Sequence, residues 1–444
     1  MVGIEYFPLS GHFFYGTEIT VKNDSSGDKV DPIFKDPRRN GKWVFGILFI
    51  GYLIAIWIFA GNLPVYDERR YLMFAEHLVH GYYSPPANIN LWNGPGYPLV
   101  LVPFVWLQTP LIYPKLLNAF FLTGFILFFY YTLLLYLPER SALFGACLVG
   151  VFPPILSEIH LLYTETIALF LIGGFIYCYC QTHQTKKGGP WLILSAFFLA
   201  YLALTKIFFG YVLMVYLIVS FILALWKRSR HLKLSLMIFG LAFLFCLPYL
   251  IYTYSLTGRI LYWSNSGGLS LYCMSTPYED EWGDWFDQNK FKGNPFLARN
   301  HQSFFDRISK LPAVEKDEAL KGQAVNNILQ HPRKFVINWM ANLGRLFFNY
   351  PYSYTPQKIS TYAYFLPNIF LFVIMIFSLF VSFYAYKSIP YELFSLLVFS
   401  LIAFGGSSLL SAYSRQVLPL IPIAALWIFF IWCRVVSLKI KETS

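Results

Sequence analysis

Ionisable residues gather at a few places along an otherwise apolar chain. Asp67, Glu68, Arg69 and Arg70 stand together. Glu158 and Glu165 flank a short turn. Lys206 and Arg415 each sit at the edge of an apolar run. Carboxylates beside fixed cations suit one kind of chemistry. A carboxylate takes the proton from an attacking hydroxyl. Cations stabilise charge growing on a leaving phosphate, arginine as a planar fork and lysine as a point charge. Each residue also has a plainer reading. Asp67 has the side chain of a helix N-cap, Glu165 suits the positive end of a helix dipole, and Lys206 could anchor a span by snorkelling. Glu158 reads as a structural group deeper in its span.

Metal and redox chemistry find no support. His77, His80 and His160 lack metal-ligand spacing. Cys147, Cys178, Cys180, Cys246 and Cys433 fall in or beside apolar runs, and Cys273 alone falls in a polar loop. Cys178 and Cys180, two positions apart, point to different faces of a helix, and no clustered His or carboxylate completes a site.

The elements that must position these residues are membrane helices. Apolar residues make up 57% of the chain and charged residues 13%, about half the charged share of a soluble domain. Runs of about 18 or more apolar residues recur, each long enough to cross a bilayer. The candidate spans are 43–61, 115–137, 141–159, 165–181, 191–205, 208–226, 234–254, 362–386, 391–410 and 417–433. The fold class expected is therefore all-α and polytopic, with about ten spans. The stretch 99–107 is short, and Pro98, Pro103 and Pro110 bracket or interrupt it, so it is expected to lie along the membrane surface. No internal repeat or low-complexity tract is visible.

Charge sets the orientation. With ten spans, Lys35, Arg38, Arg39 and Lys42, then Arg140, Lys186–Lys187, the Lys227–Arg228–Arg230–Lys233 cluster, Lys387 and finally Arg434, Lys439 and Lys441 all fall on the side of the N-terminus, which the positive-inside rule makes cytoplasmic. The net charge of +11 belongs to this bias and not to nucleic-acid binding. The opening residues lack the charged start and short apolar core of a signal peptide. The organisation expected is a cytoplasmic tail at 1–42, a transmembrane catalytic module at 43–254 with a first outer loop at 62–114, a large extracytoplasmic loop at 255–361, and C-terminal helices with a short tail at 362–444. A bacterial inner membrane suits this layout.

Several short patterns follow one another in a telling order. Tyr66–Asp67–Glu68–Arg69–Arg70–Tyr71 precedes Ala75 and Gly81. Asn93–Gly94–Pro95–Gly96–Tyr97–Pro98 comes next, then Tyr163–Thr164–Glu165–Thr166 and Leu204–Thr205–Lys206. Leu247–Pro248–Tyr249, Gly258–Arg259, Asn265–Ser266–Gly267–Gly268 and Ser414–Arg415 with Pro419 and Pro422 complete the series. Together with the topology, it resembles the GT-C superfamily of membrane glycosyltransferases, and within it the bacterial relatives of protein mannosyltransferases and lipid A aminoarabinose transferases. The resemblance covers most of the chain. Two departures stand out. Glu165 occupies a place where the family more often has Asp. Some relatives carry a carboxylate just before the Pro-rich segment, where this chain reads Leu91–Trp92–Asn93, and Asn93 cannot act as a base.

The resemblance implies the GT-C fold and an enzyme that moves one sugar from a polyprenyl-phosphate donor to an acceptor outside the cytoplasm. It implies Asp67 as general base, with Glu165 orienting the acceptor or supporting Asp67, and Glu68 as a further acidic candidate. Lys206, Arg70 and Arg415 would contact the phosphate. Tyr71, Pro95 and Tyr97 would serve the lipid groove, formed by 95–110, or the acceptor. Tyr262, Trp263, Trp282 and Trp285 are candidates to stack on sugars, or else belong to an interfacial aromatic belt. No metal or other cofactor is called for, since lysine and arginine supply the positive charge. The partners implied are the donor, the membrane, and an acceptor that is a lipid, a glycan or a protein. Two other readings stay open: a flippase or transporter of a lipid-linked glycan, and an O-antigen polymerase or ligase. A transporter would more often show internal repeats and midplane ionisable residues. The acidic motif just after the first span favours the glycosyltransferase over the polymerase or ligase.

Overall fold

The computed structural model describes residues 17–21, 38–185, 188–227, 229–354, 356 and 361–440. Of the basic residues used above for orientation, Lys35, Lys186, Lys187, Arg228 and Lys441 lie outside the described residues, as does most of the N-terminal tail.

The first half of the chain is a helical bundle with two short helices in its first long connection. Helix α1 (Arg38–Phe59) is followed by α2 (Asp67–Val79), α3 (Gly96–Trp106), α4 (Ile112–Leu134), α5 (Glu139–Gly150), α6 (Pro153–Leu156), α7 (Thr164–Gln184), α8 (Gly189–Thr205), α9 (Phe208–Trp226) and α10 (Arg230–Thr257). Seven helices of the described residues are long and apolar enough to cross a membrane: α4, α7, α9, α10, α15 (Tyr362–Tyr384), α16 (Tyr391–Ser408) and the last segment, 414–435. The stretches Trp43–Phe59 and Gly189–Thr205 are apolar but shorter. Helix α7 is apolar on all sides, as a helix enclosed by others must be. Its most apolar window is 83% buried, against 17% for α15, which places α7 at the centre and α15 at the rim.

One expected span is corrected. Residues 141–159 do not form a single helix: α5 has 12 residues, a length of about 18 Å against a hydrocarbon core of about 30 Å. It stops at Gly150, and Pro153–Pro154 starts the separate one-turn helix α6, because proline lacks the N–H needed to continue α5 and disfavours helical backbone in the residue before it. The 96–106 stretch forms a separate short helix. At 11 residues it reaches about 16 Å, and it packs on α2 and α8.

The large loop contains α11 (Gly267–Met274), α12 (Pro295–Ile308), α13 (Ala313–Gln330) and α14 (Pro332–Phe348). It has an apolar core of its own, with Tyr272, Phe286, Phe305 and Leu320. Beside that core lies a buried polar knot. His301 Nε2 is 3.0 Å from the Glu281 carboxylate, Tyr272 Oη is 2.9 Å from His301 Nδ1, and Asn300 donates to Glu281 at 2.7 Å. A 3₁₀ turn (Ser414–Leu420) leads into α17 (Ile421–Phe430).

The described residues are mostly helical. Among them a single antiparallel ribbon joins β1 (Thr17–Val21) to β2 (Val436–Ile440), with Thr17 opposite Ile440 and Val21 opposite Val436. Runs rich in β-branched residues account for it. This end of the bundle is tied by Tyr136 donating to Glu392 at 2.9 Å, Gln184 to Glu392 at 3.2 Å and Arg434 to the Tyr136 carbonyl at 2.5 Å. The ionisable residues singled out in the sequence lie at the opposite end.

Candidate active site

The first turn of α2 is built around an outlier. Tyr66, immediately before the helix, has φ +44° and an 84% exposed side chain. Left-handed backbone at a residue with a Cβ is disfavoured and is concentrated at functional sites. Asp67 then opens the helix without capping it. Its oxygens go elsewhere: Oδ1 is 2.6 Å from an Arg70 guanidinium nitrogen and Oδ2 is 2.6 Å from one of Arg415. Burial alone would raise the Asp67 pKa, but Arg415 and Arg70 outweigh it and hold the carboxyl below its usual range.

The second carboxylate comes from the first turn of α7. Glu165 Oε1 lies 2.9 Å from Lys206 Nζ and 4.0 Å from Arg415 Nε. Its other oxygen, Oε2, is buried with no hydrogen-bond partner among the described residues, and so is the hydroxyl of Thr205 next to Lys206. Both atoms therefore keep hydrogen-bonding capacity that a substrate group could use. Arg415 also lies over the Tyr163 ring, 4.5 Å from its centroid. Asp67, Arg70, Glu165, Lys206 and Arg415 thus form one connected cluster.

Close backbone contact sets the register between the first loop and α8. A Cβ on Gly96 would lie 2.4 Å from Thr205 Oγ1, and one on Gly94 1.9 Å from the Leu204 carbonyl. Only glycine lets the Asn93–Pro98 motif rest on Leu204–Thr205–Lys206. The Gly96 carbonyl is further held by Tyr201 at 2.8 Å.

The segment carrying Arg415 is held by the large loop. Asn342, on α14, is fully buried. Its amide nitrogen donates to the carbonyls of Ser408 at 2.8 Å and Leu410 at 2.7 Å, and its oxygen accepts from the Ala412 N–H at 3.1 Å. Arg345 donates to the same oxygen at 3.1 Å. The cluster therefore draws on the first loop, the central helices and the C-terminal helices at once.

Other candidates sit outside that cluster. Glu68 is fully buried: Lys115 lies 3.0 Å from Oε1, and the N–H groups of Leu162 and Val65 donate to its two oxygens at 2.8 Å each. So enclosed, it braces three segments and presents no oxygen to a substrate. Tyr71 and Tyr97 pack edge to face at 5.2 Å and are buried, so they are core residues and not the wall of a lipid groove; Pro95 is half-buried. Tyr262 and Trp263 are buried too, which removes them as sugar platforms. Trp282 remains exposed and Trp285 half-buried, the latter 6.2 Å from Tyr413 next to Arg415. Glu158 accepts from Tyr364 at 3.0 Å, in keeping with a structural group. All six cysteines are free thiols.

Sequence reasoning missed several supporting residues. Asn93 stood out only as a lost carboxylate, yet its Oδ1 accepts from Arg70 Nε at 2.6 Å and its amide donates to Tyr71 at 3.2 Å. Lys115 could have been found as a lysine at a span end that needs a partner. Asn342 and Arg345 carry no local signal, because their partners are far away in the chain.

No protein-family model matches the sequence, and no curated protein matches it. Solved structures do. The oligosaccharyltransferase of Archaeoglobus fulgidus in its apo form superposes with a TM-score of 0.53 at 12% identity, over 90% of this chain and 51% of that one. ArnT from Cupriavidus metallidurans bound to undecaprenyl phosphate gives 0.39 at 16% identity, over 88% and 78%. The Saccharomyces cerevisiae protein O-mannosyltransferase Pmt1-Pmt2 complex bound to its sugar donor gives 0.40 at 14%, over 58% and 40%. The chain spans about half the length of the archaeal enzyme. What is shared at this identity is the fold, that of the Archaeoglobus fulgidus oligosaccharyltransferase.

Proposed function

We propose that this protein is a membrane glycosyltransferase that moves a sugar from a polyprenyl-phosphate donor to an acceptor on the extracytoplasmic side. The observation that carries the reading is the connected cluster of Asp67, Glu165, Lys206 and Arg415 at one end of a GT-C bundle, with a buried Glu165 oxygen lacking a partner. The positive-inside pattern supports the extracytoplasmic face.

The geometry suggests how the residues divide the work. With both arginines on it, Asp67 is a weak base, because its carboxyl is held low. The donor phosphate competes for the same cations. As Arg415 and Lys206 turn to the phosphate, an Asp67 oxygen is released and the base is unmasked only when the donor is present. The acceptor hydroxyl then attacks the anomeric carbon. The new bond from that carbon to the acceptor oxygen forms as its bond to the phosphate oxygen breaks. The hydroxyl proton passes to Asp67 and the electron pair leaves on the polyprenyl phosphate. Glu165 positions Lys206 and offers its unpartnered oxygen to a substrate hydroxyl.

The test uses purified protein in nanodiscs with a panel of labelled polyprenyl-phosphate sugars. Release of free polyprenyl phosphate by the wild type, and its loss in Asp67→Asn, is the expected result. Donor that stays intact but crosses a liposome membrane would overturn the reading in favour of a transporter.

A further inference from the structure

A cleft of about 380 Å³ opens between residues 88–92 of the first loop and the large loop. Its floor is apolar, with Trp92, Leu269 and Phe305. Its polar lining includes Asn88, Asn90, Asp287, Gln288, Asn289 and Lys316. The walls are fixed from within. Asn265 accepts from the Leu91 N–H at 3.2 Å and donates to the Ile89 carbonyl at 3.2 Å, holding the first loop against the large one. Asp287 caps the turn that carries Gln288 and Asn289, accepting from the Lys290 N–H at 3.2 Å.

The cleft is joined to the catalytic cluster through one side chain. The Arg70 guanidinium lies 5.5 Å from the centre of the Trp92 ring, and that same guanidinium is 2.6 Å from Asp67. The cleft therefore shares Trp92 with the side chain that holds the proposed base.

The lining chemistry selects what fits. An acyl chain gains nothing from a lining of amides and charged groups and would leave them unpaired. A sugar ring has a flat face of C–H bonds that packs on an indole, and hydroxyls around its edge that both donate and accept. Asn, Gln and Asp supply the complementary acceptors and donors, and a few polar groups around an apolar floor is the usual make-up of a small-molecule site. We propose that this cleft binds a saccharide, and that the acceptor is a glycan whose terminal hydroxyl reaches Asp67. This rests on the glycosyltransferase reading for its second half only; the saccharide site stands or falls separately.

The experiment is saturation-transfer NMR on the full-length protein in nanodiscs. The probes are maltotriose, chitotriose and mannotriose, with a Ser/Thr/Asn-containing hexapeptide as the contrast. At least one trisaccharide should receive saturation on its ring protons. The double variant Asp287→Ala/Asn289→Ala should weaken that binding by about tenfold, the loss of two modest hydrogen bonds. Asn289→Trp, which fills the mouth from an exposed position, should abolish it. Thermal unfolding checks that both variants fold. No transfer to any saccharide, signals unchanged by both variants, or selective binding of the peptide in the cleft would each overturn the proposal. Failure of the enzymatic reading looks different: saccharide binding persists and responds to the variants, while no donor is consumed.

Discussion

Asp67 and Arg415 stand 348 positions apart in the chain and 2.6 Å apart in space. That contact closes the proposed catalytic cluster, because Arg415 also approaches Glu165 and, through it, Lys206. A capping aspartate would accept from a backbone N–H of its own first turn, whereas Asp67 makes no cap hydrogen bond and accepts from two arginine side chains.

Asp67→Asn removes proton acceptance and keeps the shape. General-base assistance contributes roughly a hundred- to ten-thousand-fold, so sugar transfer should fall by that range while donor binding survives. Transfer rates and donor affinity measured on the same nanodisc preparation check it. Near wild-type transfer would take Asp67 out of the mechanism and leave Glu165 as the remaining carboxylate of the cluster.

Arg415→Ala should both weaken donor binding and slow transfer, on the proposed exchange of its guanidinium from Asp67 to the phosphate. Arg415→Lys keeps the charge but loses the planar fork, and should recover binding better than rate. Separate measurement of KM and kcat shows whether the two effects divide this way. Equal recovery of both would count against the exchange of partners.

Lys206→Ala should weaken donor binding or leaving-group departure, and Lys206→Arg should retain part of the activity. The buried Glu165 carboxylate would lose its 2.9 Å partner in the alanine variant, so a fall in thermal stability should accompany it. Unchanged transfer by a folded Lys206→Ala protein would return Lys206 to the role of an interface anchor.

Acid should act on the ion pairs of Asp67 in a defined window. Its carboxyl is held below the ordinary 3.8. A depressed folded-state pKa contributes stability that is complete above the unfolded value and is lost as pH falls through the folded one. Stability owed to Asp67 should therefore stay constant from neutral pH down to the ordinary value and decline below it. Unfolding temperatures across an acid series should fall less steeply for Asp67→Asn than for wild type. Identical slopes would mean the pairs contribute no net stability.

Gly96→Ala tests the seat of the first loop on α8. The added Cβ would lie 2.4 Å from Thr205 Oγ1, and overpacking of this kind costs about 1–3 kcal/mol. The variant should melt earlier and lose transfer, through displacement of Lys206 next door. Gly96→Ala with Thr205→Ala should regain part of both, and a double variant no better than the single would show that the clash is relieved elsewhere.

Much of this was legible in the sequence, for physical reasons. Membrane helices announce themselves through uninterrupted apolar runs, and 208–226 matches its helix end to end. Asp67, Glu165, Lys206 and Arg415 were visible because charge at the edge of an apolar run demands a partner. The resemblance ranked Asp67 ahead of Glu68, but residue types alone did not, since adjacent helix positions differ in direction and only packing says which one faces inward. It overestimated 141–159, where hydropathy runs on through prolines that the backbone cannot follow. Tyr71, Tyr97, Tyr262 and Trp263 fail as ligand platforms for a similar reason: an aromatic residue looks the same in sequence whether it meets a sugar or the core. Asn342 was invisible, because its partners are three backbone groups whose identity carries no side-chain signal.

The grip of Asn342 also says something about the order in which the protein matures. The groups it holds follow it by 66 to 70 positions, with α15 and α16 between. The large loop can fold around its own core early, but its amide clamp has nothing to close on until those two helices have entered the membrane. Only then is Arg415 delivered to a carboxylate that has been waiting with Arg70 alone. A nascent chain halted before that point would have its proposed base in place but lack one of its phosphate cations. Catalytic competence would thus depend on helices inserted well after the proposed base, and activity itself would report that they are in place.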